Sequence, residues 1–214
     1  MKHRKIVCIM LISIFAITVK QSYLWAGEPS VLVKKVILNE YSLNEIEDIH
    51  ERRAKQWEVI SPSLNFENIS ERVMGKYWEE CPYEQKSGFV TLFTSHLKNS
   101  YLKKPNPIFG KKIISLIEKQ FNDFAKVQTT LLVQSGREIS VDFCLLFENG
   151  EWKIFDLVVE GVSLVNNYHS QVVNTLDKTS YEELMSTIKN KQVERYRSTE
   201  RSILASDQSV ELIE

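Results

Sequence analysis

Between residues 111 and 160 apolar and polar side chains alternate with a period of two. That period marks β-strands, whose side chains point to opposite faces in turn. The run is interrupted at 120–123, at Ser135-Gly136 and at Asn149-Gly150. Four strands are expected, over 111–119, 124–134, 138–148 and 151–160. Asn-Gly is a strong hairpin signal, because a type I′ turn needs positive φ at two successive residues. Connections this short join antiparallel neighbours, so the strands form a meander. In the third strand Ile139, Val141, Phe143, Leu145 and Phe147 share one face, and Asp142, Cys144 and Leu146 the other. In the fourth, Trp152, Ile154, Asp156, Val158 and Glu160 fall on one face, and Lys153, Phe155, Leu157 and Val159 on the other.

A sheet face this apolar must be covered, and the amphipathic helices before and after it are the available cover. Gly161 breaks the fourth strand, and Ser163 is placed to cap a helix. After it Val165, Tyr168, Val172 and Leu176 recur at three- and four-residue steps. Residues 28–58 also read as helix, with Val31, Leu32, Lys35 and Val36 beginning a stripe. Ser42 or Asn44 caps a second helix containing Ile46 and Ile49, and a short helix covers 69–77. Pro82 suits a first helical position, where its missing N–H costs nothing. Glu84 follows in the first turn, where the helix dipole favours an acid. Phe89, Leu92, Phe93, His96, Leu97 and Tyr101 make the stripe of this helix, which stops near Lys104, before Pro105 and Pro107. Ser180 and Glu183 form a capping box for a last helix, with Leu184, Met185 and Ile188 inward. The fold class is α+β: a four-stranded antiparallel sheet wrapped by several helices.

Composition adds an address. Lys2, His3, Arg4 and Lys5 precede an apolar run over 6–19, shorter than the roughly 20 residues that cross a bilayer. Ala26 then supplies a small residue before Gly27. Residues 1–26 read as a secretory signal peptide cleaved near Ala26. Cys8 lacks the small residues of a lipoprotein cleavage site before it. The mature chain is expected to be a single domain over 27–197, followed by a polar tail over 198–214 that holds no period. The net charge is −1 for all 214 residues. Removing 1–26 takes away Lys2, Arg4, Lys5 and Lys20 and no acid, which leaves −5. That balance points away from nucleic acid, and from an anionic membrane held by charge alone. Cys81 and Cys144 read as two partly buried thiols rather than a bridge.

Catalytic and cofactor motifs are missing. There is no G-x-S-x-G, Gly-rich phosphate loop, H-E-x-x-H or C-x-x-C. His50, His96 and His169 are scattered, and no pair has metal-ligand spacing, so neither metal nor cofactor is expected. Asp156 and Glu160 are the one candidate acid–base pair, since a carboxyl group on an apolar face can act so. The plainer reading is that Glu160 braces the turn at Gly161 and Asp156 bonds to backbone.

Two blocks carry a family resemblance. The first joins Trp152 and Asp156 to Glu160-Gly161-Val162-Ser163-Leu164-Val165, then Asn167-Tyr168 and Ser170-Gln171. The second comprises Gly75, Tyr77-Trp78, Pro82, Gln85, Phe89 and Tyr101. Together they resemble the MlaC-like (toluene-tolerance) periplasmic phospholipid-binding proteins, over about 31–191. His169 stands where that family favours arginine, Val172 where it favours phenylalanine, and Cys81 where a serine cap is expected. The resemblance implies an NTF2-like cavity architecture and a shuttle carrying phospholipid between outer and inner membranes. Its implied partners are phospholipid, an inner-membrane ABC transporter complex with an MCE-domain subunit, and an outer-membrane lipoprotein complex. Periodicity places the acyl-chain lining on Phe93, Leu97, Phe143, Leu145, Phe147, Val158, Val165 and Tyr168. A carrier of another amphiphile, such as a hopanoid or isoprenoid, and a cavity enzyme using Asp156 or Glu160 are the alternatives.

Overall fold

The computed structural model describes residues 27–103, 112–133 and 135–192. The expected signal peptide, the whole of the expected tail and the stop at Lys104 lie outside them. The chain groups into two compact units. One is the chain up to Asn65 with Asn106–Leu164, and the other is Phe66–Pro105 with the chain from Val165.

The first unit is built on an antiparallel sheet in the order β1-β2-β3-β4-β5. Its strands are β1 Lys112–Phe121, β2 Phe124–Leu132, β3 Glu138–Glu148, β4 Glu151–Val159 and β5 Val162–Ser163. The four expected strands are present, with two corrections at their ends. β1 runs on to Phe121, which pairs with Phe124 across a turn of only Asn122 and Asp123. The short fifth strand was not expected. Glu160 and Gly161 take φ of 49° and 81°, a hairpin turn that brings Val162 back against Val159. Glutamate disguises that turn, whereas Asn149-Gly150, at 54° and 86°, announces its own.

Register decides the faces, because residues directly opposite in an antiparallel pair point to the same side. Ala125, Val127, Thr129 and Leu131 of β2 oppose Leu145, Phe143, Val141 and Ile139 of β3. All eight are buried. This face is the core of the unit, and each large apolar side chain withdrawn from water there contributes about 1.5–3 kcal/mol.

Strand β4 departs from the expected alternation. Cys144 pairs with Asp156 but Leu145 with Ile154, so Phe155 is an extra residue. This bulge flips the remainder of the strand. Trp152 and Ile154 stay on the core face with Phe147 and Leu145, where Leu157 and Val159 join them. Asp156 and Val158 move to the other face, beside Cys144 and Asp142. The expectation that Trp152, Ile154, Asp156, Val158 and Glu160 share one side is therefore wrong beyond Ile154.

Helix α1, Pro29–Ser42, packs against β1 and β2, and the Ser30 N–H donates to Glu118 Oε2 at 2.8 Å. Its buried stripe is Val33, Val36, Ile37 and Glu40. Val31 and Lys35 of the expected stripe are exposed. Helix α2, Ile49–Ile60, is capped by Asp48, whose carboxylate accepts from His50 N and Glu51 N, rather than by Ser42 or Asn44. The 3-10 turn Ser61–Ser63 leads to Leu64, which bridges to Ile154 in parallel. Asn65 is pinned twice, its N–H to Ile154 O at 2.9 Å and its Nδ2 to Glu148 at 2.5 Å.

The second unit is helical: α3 Phe66–Met74, α4 Lys76–Glu80, α5 Tyr83–Lys103, α6 Leu164–Leu176 and α7 over 181–192. The single helix expected over 69–77 is broken by Gly75, whose φ of 56° and ψ of −128° glycine alone adopts readily. Pro82 is the residue before α5, its carbonyl accepting from Lys86 N at 3.0 Å. Ile69, Val73, Met74, Trp78, Phe89 and Phe93 are buried, as are Val172, Leu184 and Ile188. The Ser180 hydroxyl accepts from Glu183 N at 3.2 Å, as the capping box requires. Tyr181 ties α7 to α5 by donating to Gln85 O at 2.7 Å.

Candidate functional site

The eight residues expected to line a ligand fall in both units. In the sheet unit Phe143 and Leu145 are fully buried on the core face. Phe147 follows on that face, half-buried, with its ring 5.2 Å from Trp152. Val158 does not join them. The bulge at Phe155 sets it opposite Asp142 on the other face, which also bears the Lys126–Asp142 ion pair. That pair, 2.7 Å long, holds the Lys126 ammonium above its ordinary pKa through the hydrogen bond to Asp142.

In the helical unit Phe93 and Tyr168 meet edge to face at 5.2 Å. Phe89 stacks on Phe93 at 5.3 Å, and His96 meets the Tyr168 ring at 5.8 Å. Such contacts contribute about 0.5–1.5 kcal/mol beyond burial. Val165 is one turn before Tyr168, and Leu97 one turn after Phe93. Phe89 and His96 were legible as stripe members, but nothing in the sequence paired His96 with Tyr168. These apolar and aromatic surfaces offer dispersion and exclusion of water.

The two carboxylates are braces. Asp156 accepts from the Ser163 hydroxyl at 2.5 Å. Glu160 holds Ser140 twice: its Oε1 accepts from Ser140 N at 2.5 Å, and its own N–H donates to Ser140 O at 2.9 Å. Asp156 shares its face with Val158 and Asp142, not with Trp152 and Ile154.

His169 also has a structural task. Its Nδ1 is 3.0 Å from Arg72 O and 3.2 Å from Val73 O. Carbonyls only accept, so Nδ1 carries the proton. The imidazole thereby donates to carbonyls in the last turn of α3, where a helix end calls for outside donors.

An open groove of about 710 Å³ runs between α5 and α7, lined by Tyr83, Glu84, Ser87, Thr91, Met185 and Lys189 among others. None of the eight expected residues borders it. Among the described residues no three His, Cys, Asp or Glu cluster as metal ligands, and no helix is long and apolar enough to cross a membrane.

Comparison with known proteins places this arrangement. The intermembrane phospholipid transport system binding protein MlaC of Haemophilus influenzae is 25% identical over 136 residues, covering 59% of this chain and 62% of that protein. The alignment thus spans less than two thirds of that relative. A phospholipid-binding protein from Ralstonia solanacearum, solved in complex with a phospholipid, has the same fold, with a TM-score of 0.67 at 16% identity. That likeness covers 79% of this chain and 99% of the other. The model of the family described as MlaC protein matches residues 34–190. The chain belongs to the MlaC protein family.

Proposed function

We propose that this chain is a periplasmic phospholipid carrier, the soluble component of an intermembrane lipid transport system. The observation that carries this reading is the family match over 34–190, which takes in both compact units. The names of the relatives point the same way. We read residues 27–197 as the carrier domain, exported by means of residues 1–26. Phe143, Leu145 and Phe147 of the sheet, with Phe93, Leu97, Val165 and Tyr168 of the helices, supply apolar surface to the acyl chains. Val158 is set apart by its face.

The physical need is direct. Two acyl chains hold about 30 methylenes, and at ~0.8 kcal/mol each their exposure to water would cost on the order of 20 kcal/mol. A protein surface as apolar as the bilayer makes transfer nearly neutral and therefore reversible. Direction then comes from the partners: an ATP-driven inner-membrane complex with an MCE-domain subunit, and a lipoprotein complex in the outer membrane. No bond is made or broken by this chain.

The test is native mass spectrometry of the mature chain, purified from the periplasm without detergent, with organic extraction in parallel. A stoichiometric mass that extracts as phospholipid is expected. A terpenoid mass would reassign the cargo to another amphiphile. A folded, empty chain that takes up no lipid from vesicles would end the carrier reading.

A further inference from the structure

Among the described residues strand β1 stands at one edge of the sheet and is long for such a position, running from Lys112 to Phe121. Edge strands present backbone groups to any extended chain, and proteins usually blunt them with charge, bulges or brevity. A bulge between Ile113 and Ser115 blunts only the beginning of this one. From Leu116 onward the pairing with β2 is regular. Ile117 and Phe121 are 56% and 76% exposed there, on the same face as Lys119. The turn beyond them is tied to β3, since Phe147 N donates to Asp123 O at 2.7 Å. Phe121 is therefore presented by a hairpin anchored to β3.

The charges on this face are unbalanced toward the edge. Lys119 is directly opposite Lys126, and like charges so placed repel. Lys126 is answered from its other side by Asp142 on β3. Across the open edge, an acid on an added strand would complete the series for Lys119. An acid at that point with an apolar residue two positions to either side would meet Ile117, Lys119 and Phe121 in turn, given the two-residue period.

We propose that residues 116–121 of β1 form a docking edge for an extended segment of a partner protein. That segment is added as a further strand, with an acidic residue opposite Lys119 between two apolar ones. The inference is independent of the cargo. It uses only the sheet edge, so an empty carrier would dock equally well.

The probe is the synthetic peptide Thr-Val-Thr-Glu-Thr-Val-Thr, with a second version carrying Lys for Glu and a third with N-methylated backbone. Binding to the mature chain is followed by amide hydrogen exchange and by titration. The expected result is slowed exchange at alternate β1 amides with the Glu peptide, and at least roughly tenfold weaker binding of the other two. Lys119→Glu should invert the preference to the Lys peptide, and Phe121→Ser should weaken both. Both positions are exposed, and thermal melting checks that the variants fold. No exchange protection at millimolar peptide, or equal binding of all three peptides, would overturn the proposal. So would outer β1 amides already protected without peptide, or a concentration-dependent dimer abolished by Phe121→Ser, which would assign the edge to a second copy.

Discussion

Gly75 lies directly against His169. A Cβ added to residue 75 would come within 2.5 Å of the imidazole Cε1. The same ring donates to the last turn of α3, which Gly75 terminates. The helix break, the turn carbonyls and the imidazole are thus one packing unit. The residues come from the two separate sequence blocks that carry the family resemblance, and here they meet.

That contact is testable by a double-mutant cycle. Gly75→Ala should destabilise the chain by about 2 kcal/mol or more, because positive φ and steric overlap act together. His169→Ala removes the overlap and leaves only the backbone strain. In that background the Gly75→Ala penalty should shrink by roughly 1 kcal/mol. Denaturant unfolding of the four proteins measures this, and strict additivity would show that the ring and the glycine do not act on each other.

The bulge at Phe155 makes Phe143 and Val158 unequal. Phe143→Ala should cost about 3–5 kcal/mol, as truncation of a fully buried aromatic does, and should lower the bound-lipid stoichiometry. Val158→Thr keeps the shape on a partly exposed face and should cost less than about 1 kcal/mol with cargo unchanged. Chemical denaturation and lipid extraction on both variants check this. Equal losses would mean that the two residues share a face after all.

Asp156 and Ser163 should behave as a structural couple. Removing the pair's hydrogen bond by Ser163→Ala is expected to cost about 1–3 kcal/mol. Asp156→Asn should leave bound lipid intact, since an amide oxygen still accepts from the hydroxyl. A variant that folds but arrives empty would point to a part in cargo handling for the carboxylate.

Acid should weaken the protein partly through Asp177 and Asp48. The Asp177 carboxyl is held below its ordinary range by the Tyr77 hydroxyl and then by Lys76. That of Asp48 is held down by the backbone N–H groups of Glu51 and His50. Groups with lowered folded-state pKa values stabilise fully above the ordinary carboxylate range, near about pH 4, and lose that contribution as pH falls through their folded values. Melting temperature should therefore fall between about pH 5 and pH 2, and less steeply in Asp48→Asn and Asp177→Asn. Parallel slopes in wild type and variants would remove these two carboxylates from the account.

Much of this was legible because local rules act locally. The periods of two and of three to four located the four long strands and the helices, since burial of one face imposes the period of the backbone that carries it. Asn149-Gly150 announced a turn, and Ser180 with Glu183 a helix start. Where the chain hid its conformation, a residue did something uncommon for its type. Glu160 took positive φ, the turn at Asn122-Asp123 was tighter than its polar surroundings implied, and Phe155 was inserted without any change in composition. A bulge leaves no mark on a hydrophobic pattern when the inserted residue is itself apolar.

By itself, then, the sequence determined the α+β class, the order of the four long strands and the family, because these follow from periodicity and from residue blocks contiguous in the chain. Tertiary structure alone decided which side of β4 faces the core, which carboxylates are braces, and that Gly75 and His169 touch. Those depend on register and on contacts between residues far apart in the chain. A shift of one residue in pairing moves every following side chain to the opposite face, and no local pattern records it.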